Sequence, residues 1–191
     1  MLERLFISKV RVKILKQFLL NPDEDYHIRA LVRLLNEEIN AVRRELKNLE
    51  AFGLLHSQKQ SNKIVYSLNT SCPFLYELRS MILKDSEELR LMAKVLGAIK
   101  NVELVLVTQA YMTKKYTDEN DIDVLIIGSP DINKLTKEMN KVEKEIGREL
   151  RMAVLTKEDY EYRKKRREKL ILDVLEKDKI ILLGSPNKIG L

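Results

Sequence analysis

Cysteine is almost missing from this chain. Cys72 is the single one in 191 residues, which excludes an internal disulfide framework and a cysteine-built zinc site. Next to Pro73 it reads as a small apolar filler rather than a nucleophile. Histidine is nearly as scarce. His27 and His56 are the only two and lie far apart, which leaves little basis for a His-rich metal site or a Ser-His-Asp triad. No apolar run approaches the ~20 residues needed to span a bilayer. The opening MLERLFISKVRVKIL carries charge in every turn instead of an apolar signal core. The expectation is a cytoplasmic protein with no membrane partner. There is no internal repeat and no low-complexity segment.

What the sequence does have is a substantial apolar fraction and abundant charge. Hydrophobic residues make up 45% and charged residues 34%, with a formal net charge of +6. That composition supports a folded core inside a well-solvated surface, and the sign of the charge favours an acidic partner, nucleic acid first. The length suits one large domain or two small ones.

The pattern along the chain divides it. Ser8 to Leu20 has mostly helical apolar spacing, with Ser8 placed to cap the start and Asn21-Pro22 to end it. Asp25 to His27 reads as a short extended piece. Ile28 to Leu35 reads as a short helix, Asn36 to Glu38 as a turn, and Ile39 to Phe52 as a third helix closed by Gly53. Leu54 to Gln58 and Ile64 to Leu68 read as strands joined by a polar tip, Lys59 to Lys63. A long helical stretch follows from Pro73 to about Lys100, with a break near Asp85-Ser86. Then strands and helices alternate: VELVLV from Val102, DIDVLIIG from Asp121, a helix from Asp131 to Ile146, a strand from Glu149 to Leu155, a basic helix from Lys157 to Lys169 and an apolar segment from Ile180 to Leu183. The expected class is α+β in two domains, residues 1–72 and 101–191, with 73–100 as a helical linker available for dimerisation. The second domain is expected to be α/β with a mixed sheet.

The third helix carries the first functional signal. At 100° per residue, Ile39, Val42, Leu46 and Leu49 cluster on one side. Asn40, Ala41, Arg44, Lys47 and Asn48 then face the other way. Arg can read guanine, Asn adenine, and Ala a thymine methyl in a major groove. Arg43 lies at the edge, suited to phosphate. In the polar tip, Lys59 and Lys63 suit phosphates, while Gln60 and Asn62 suit a minor groove. Twelve Lys or Arg against eight Asp or Glu give residues 1–72 a net +4. Glu37 and Glu38 oppose a phosphate approach but favour a helix N-terminus.

The segments IRALVRLL, NAVRRELKNLEAFGLL and IVYSLN resemble the winged helix-turn-helix transcriptional regulators of bacteria and archaea. The resemblance implies a homodimer that reads two half-sites on double-stranded DNA.

The second half carries a different signal, Asp121-Ile122-Asp123. Two carboxylates two apart on a strand point to one side and can hold Mg²⁺ against substrate phosphates. Val102 to Leu155 resembles the minimal nucleotidyltransferase fold related to the DNA polymerase beta family, which implies a Gly-Ser pair opening a helix, a D-x-D on the next strand and a third carboxylate later. Here the Gly-Ser position holds Thr108-Gln109, and the third acid falls near Arg151. Asp121 could instead cap a turn, and Asp123 could pair with Arg151. The runs LFISKVRVKILKQFL and LTKEDYEYRKKRREKLILDVL resemble two-part prokaryotic proteins that join a winged helix to such a degenerate domain.

The reading is a DNA-binding transcriptional regulator whose second domain senses a nucleotide or small-molecule effector, or forms a dimer. The alternative is a Mg²⁺-dependent nucleotidyltransferase using Asp121 and Asp123. A third is an interaction protein, such as an antitoxin-like partner. Six cations between Arg163 and Lys169 offer either a second nucleic-acid contact or a solvated helix paired with acids such as those of Glu143 to Glu149.

Overall fold

Local chemistry sets the first helix. The Ser8 side chain accepts a hydrogen bond from the Arg11 N–H at 3.2 Å, capping α1 (Lys9–Leu20). That helix turns Val12, Ile14, Leu15, Phe18 and Leu19 inward and ends before Pro22. The computed structural model describes residues 2–113, 115–185 and 187. Its class is α+β, with one antiparallel and one mixed sheet. Among the described residues no helix is long and apolar enough to cross a membrane. The chain forms two compact units, Met1–Asp85 and Ser86–Leu191.

In the first unit, β1 (Tyr26–His27) leads directly into α2 (Ile28–Leu35), where His27 Nδ1 accepts the Ala30 N–H at 3.0 Å. Asn36 takes the left-handed conformation, φ 50°, and ends α2. α3 (Ile39–Ala51) follows and closes on Phe52 and Gly53, the latter at φ +85°. β2 (Leu55–Gln60) and β3 (Lys63–Leu68) form a hairpin, with β1 pairing on the far side of β3. Phe18, Leu31, Val42, Leu46 and Leu54 are fully buried in one core, each contributing about 1.5–3 kcal/mol of transfer free energy. Cys72 is part of that core, as a small apolar filler should be. α4 (Leu75–Lys84) adds Leu75 and Ile82 to it.

Two expectations need correction here. Ile39 is 37% exposed and does not join the buried stripe, because it stands at the first position of α3, beyond the reach of the core. The hairpin tip is only Ser61-Asn62. Lys59 and Gln60 continue β2 and pair with Ile64 and Lys63, so polar residues extend the strands where no apolar period marks them.

The second unit opens with α5 (Glu87–Gly97), capped by the Ser86 hydroxyl. The stretch 73–100 is thus two helices, α4 and α5, belonging to different units. The remaining elements are β4 (Val102–Thr108), α6 (Gln109–Thr113), β5 (Val124–Gly128), α7 (Ile132–Ile146), β6 (Met152–Leu155), α8 (Lys157–Lys165), α9 (Lys169–Glu176) and β7 (Lys179–Leu183). The sheet order is β6-β5-β4-β7, with only the β5–β6 pair parallel. Leu104, Leu106, Leu125 and Ile127 pack with Tyr160 of α8 and with Ile171 and Val174 of α9. Alternation turns Val105, Val107, Val124 and Ile126 to the opposite face. These four are also fully buried, which leaves α5 and α7, packed on each other, to cover them. Gly128 is required where it stands. At φ +146°, a Cβ would lie 2.1 Å from the Asn101 carbonyl oxygen.

The sequence boundaries shift in three places. β5 begins at Val124, so Asp121 lies in the loop before it. β6 begins at Met152, leaving Glu149 and Arg151 off the strand. The basic helix breaks: α8 stops at Lys165, Arg167 turns left-handed at φ 54°, and α9 starts at Lys169.

Candidate functional site

α3 presents Asn40, Arg43, Arg44, Lys47 and Asn48 to solvent, with Ala41 half-buried among them. The acid within this stretch is Glu45, and it is 2% exposed. Its Oε2 accepts from Arg11 Nε of α1 at 2.8 Å and from the Asn48 amide at 3.3 Å. Burial pushes the Glu45 carboxyl up. Hydrogen bonds from Arg11, Ser8 and Asn48 outweigh that and hold it below the ordinary carboxylate range. The acid is therefore ionised and held mainly from the core side by Arg11, while Nε of the exposed Arg44 stands 4.0 Å from its Oε1. Asn48 is partly committed to it, and the Asn40 side-chain oxygen accepts from Arg43 at 3.4 Å. Glu37 is likewise neutralised, by Lys13 at 2.6 Å.

The hairpin brings a second set of groups beside this face. Lys59, Gln60, Asn62 and Lys63 are all exposed. Between the start of α2, the start of α3 and the hairpin lies a cleft of about 530 Å³, with Arg29, Arg43 and Lys63 as its cations and Ile28, Ile39 and Ile64 as its apolar lining. Of the ten residues expected to meet DNA, Arg43, Asn62 and Lys63 share this cleft. Arg44 and Lys47 stand on the open face of α3.

The carboxylates of the second unit are arranged differently. Asp123 is 0% exposed. Its Oδ1 accepts from Arg148 Nη2 at 2.7 Å. Its Oδ2 accepts from the Tyr116 hydroxyl at 2.7 Å and the Arg151 N–H at 2.9 Å. The expected Asp123–Arg151 ion pair is thus replaced by Asp123–Arg148. The Arg151 guanidinium lies over the Tyr116 ring, 4.2 Å from its centroid. Arg148 lies 4.5 Å over the ring of Tyr111, whose hydroxyl donates to Glu88 at 2.7 Å. Burial, with Asp123 accepting its proton's hydrogen bond, raises the Tyr116 phenol above its usual range. Burial and the bond to Glu88 do the same, more strongly, to Tyr111.

Asp121 has a separate role, and it is the turn-capping one. Its Oδ2 accepts the N–H groups of Thr117 and Asp118, at 2.6 and 3.0 Å, and the Thr117 hydroxyl at 3.0 Å. Lys177 stands 3.8 Å from its Oδ1. Burial works to raise this carboxyl, and the backbone bonds more than reverse the shift, leaving it lowered.

A Mg²⁺ ion held by Asp121 and Asp123 does not fit this donor set. Both oxygens of Asp123 are taken by donors and the side chain is sealed from solvent. One oxygen of Asp121 holds three donors. Among the described residues no cluster of three or more His, Cys, Asp or Glu side chains is placed to hold a metal. Thr108 and Gln109 stand at the expected Gly-Ser position and line a cleft of about 220 Å³ together with Lys115, Asp121, Asp173 and Lys177. The Thr108 hydroxyl donates to the Ile122 carbonyl.

The basic run is largely self-contained. Arg163 pairs with Glu168 at 2.7 Å, and Lys169 pairs with Asp118. Lys164 and Arg166 lie over the Tyr160 and Tyr162 rings. Glu143, one of the acids expected to pair with this run, instead accepts the Leu150 N–H at 2.7 Å. Lys165 and Arg167 remain exposed.

Sequence reasoning missed Glu45, Arg148, Tyr111, Tyr116 and the cleft residues Arg29 and Ile39. Glu45 had a signal, since position 45 falls beside Val42, Leu46 and Leu49 on the helical wheel. Arg148 had none, because nothing local distinguishes it from Arg151. Comparisons with family models, with curated proteins and with solved structures find no match to this chain.

Proposed function

We propose that the chain is a DNA-binding transcriptional regulator. Its first unit is a winged helix-turn-helix that sets α3 in the major groove of double-stranded DNA and the β2–β3 hairpin against the adjacent backbone. Its second unit is a nucleotidyltransferase-like fold that serves ligand sensing or oligomerisation without catalysing transfer.

The observation that carries this reading is the cationic outer face of α3. Arg43, Arg44 and Lys47 are exposed, while the acid among them is buried and neutralised by Arg11. Glu45 is held by Arg11 and Glu37 by Lys13, which leaves Glu38 at the helix start as the exposed acid against three exposed cations, a balance that favours salt-dependent binding to phosphates. The cleft with Arg29, Arg43 and Lys63 offers a second phosphate contact on the same side. The fully engaged carboxyl of Asp123 supports a second unit without metal-assisted transfer. The cleft of about 220 Å³, lined in part by Lys115 and Lys177, is smaller than most drug-sized ligand pockets and suits at most a compact effector.

The test is fluorescence anisotropy with a labelled random duplex at low salt. Wild type should bind, with affinity falling as salt rises. Arg44→Ala combined with Lys47→Ala should weaken binding at least tenfold and lower the salt slope by about 2. Absence of binding by the wild type at low salt refutes the proposal. For the transferase reading, labelled nucleotide and Mg²⁺ should leave no product on protein, RNA or the nucleotide itself.

A further inference from the structure

We infer that the Arg148 guanidinium is the resident cation of the Asp123 site, standing in the place a divalent ion would take, and that the second unit works without metal. The inference concerns the second unit alone and holds or fails independently of DNA binding by the first.

Three observations carry it. The first is the state of Asp123. A carboxylate sealed from solvent must have its charge met by a partner, since an isolated buried charge is too costly to persist. Here the charge is met by Nη2 of Arg148 at 2.7 Å, with Tyr116 and the Arg151 N–H completing the shell. A cation arriving from solution would have to displace Arg148 from Oδ1, or Tyr116 or the Arg151 N–H from Oδ2.

The second is that Arg148 is fixed rather than swinging. α7 ends at Gly147, φ +71°, and the Arg148 N–H bonds back to the Glu143 carbonyl at 3.2 Å. The side chain then lies on the Tyr111 ring, which is itself held by Glu88. Its Nε is buried with no hydrogen-bond partner. The side chain is thus placed to serve Asp123 rather than to satisfy all its own donors. A planar guanidinium on an aromatic face is well suited to such a partly buried position.

The third is the division of the D-x-D pair. Asp121 lines the 220 Å³ cleft, and Asp123 does not. The two carboxylates serve different structures, one a turn and one a buried ion pair, and do not converge on a shared ligand. The Arg151 side chain lies over the Tyr116 ring, while its backbone N–H is what donates to Asp123.

The experiment is thermal unfolding of the full chain with and without millimolar MgCl2 or MnCl2, against NaCl of equal ionic strength. Wild type should show no metal-dependent shift. Arg148→Ala should melt about 10 °C lower, as expected for one partner of a buried pair left alone. Millimolar Mn²⁺ or guanidinium should restore at least half of that loss by entering the vacated place. Asp123→Asn combined with Arg148→Met should melt above Arg148→Ala and respond to neither cation. Stabilisation of the wild type by Mn²⁺ that disappears in Asp123→Asn would overturn the inference. So would an Arg148→Ala protein as stable as wild type, or one that no cation restores. If Arg148→Ala does not fold, the wild type and Asp123→Asn still decide: a metal shift present in the first and absent from the second refutes the assignment, and no Asp123-dependent shift upholds it.

Discussion

Each unit holds a buried acid bonded to an arginine, Glu45 to Arg11 and Asp123 to Arg148, and the two pairs have opposite consequences. In the first unit Glu45 meets Arg11 at 2.8 Å, and the effect is felt on the far side of the helix, where Arg43, Arg44 and Lys47 are left facing solvent. In the second unit Asp123 meets Arg148 at 2.7 Å, and the acid itself is what disappears from reach. One burial exposes a cationic surface, and the other closes an anionic site. The same interaction therefore leaves cations at the surface of one unit and an engaged carboxylate inside the other.

The largest effect expected from breaking this comparison is on the second pair. Asp123→Ala strands a guanidinium that is mostly buried and should cost about 3–5 kcal/mol in urea unfolding. Adding Arg148→Met should recover a large part of it. Next in size, loss of both Arg44 and Lys47 should reduce DNA affinity by about 2 kcal/mol while leaving stability within ±0.5 kcal/mol, because both side chains are exposed. Stability and binding would then separate in the first unit, as they cannot around Asp123.

Glu45→Gln sharpens the comparison from the other side. It keeps the shape and should cost about 1–2 kcal/mol by weakening the bond from Arg11, whose side chain is partly open to solvent. The pH dependence has a definite sign. Glu45 is lowered in the folded state from 4.5, so its contribution is present above that value and is lost as pH falls through the lowered one. Acid unfolding monitored by circular dichroism should show a shallower acid limb in Glu45→Gln. The smallest effect belongs to the hairpin. Lys59→Ala should change affinity by less than about 1 kcal/mol and reduce the salt slope by about 1.

Much of the fold was legible because its signals are local. Ser8, Asp131 and Gly53 mark helix ends by short-range chemistry, and the apolar spacing of α1 and α7 states which side is buried. The strand cores of β4 and β5 announced themselves as apolar runs. What failed were long-range choices and polar extensions. Whether Asp123 would meet Arg148 or Arg151 depends on a left-handed turn at Gly147, 24 positions along the chain, and on where β6 begins. The hairpin tip was read too long because Lys59 and Gln60 join the ladder through their backbone alone. The basic run broke at Arg167, where no proline or glycine warned of it. Of the candidate site, the outer face of α3 was readable from periodicity. The cleft beside it was not, because Arg29 and Lys63 come together only through tertiary packing.

The glycine that ends α7 bears on which substitutions the Asp123 pair can tolerate. A Cβ at position 147 would meet nothing within 4 Å, so the residue is needed for its backbone angle and not for space. It places the following arginine at the mouth of Asp123. Any other residue there would strain the turn that aims Arg148, so a change at position 147 should loosen the buried pair without altering either of its charged groups.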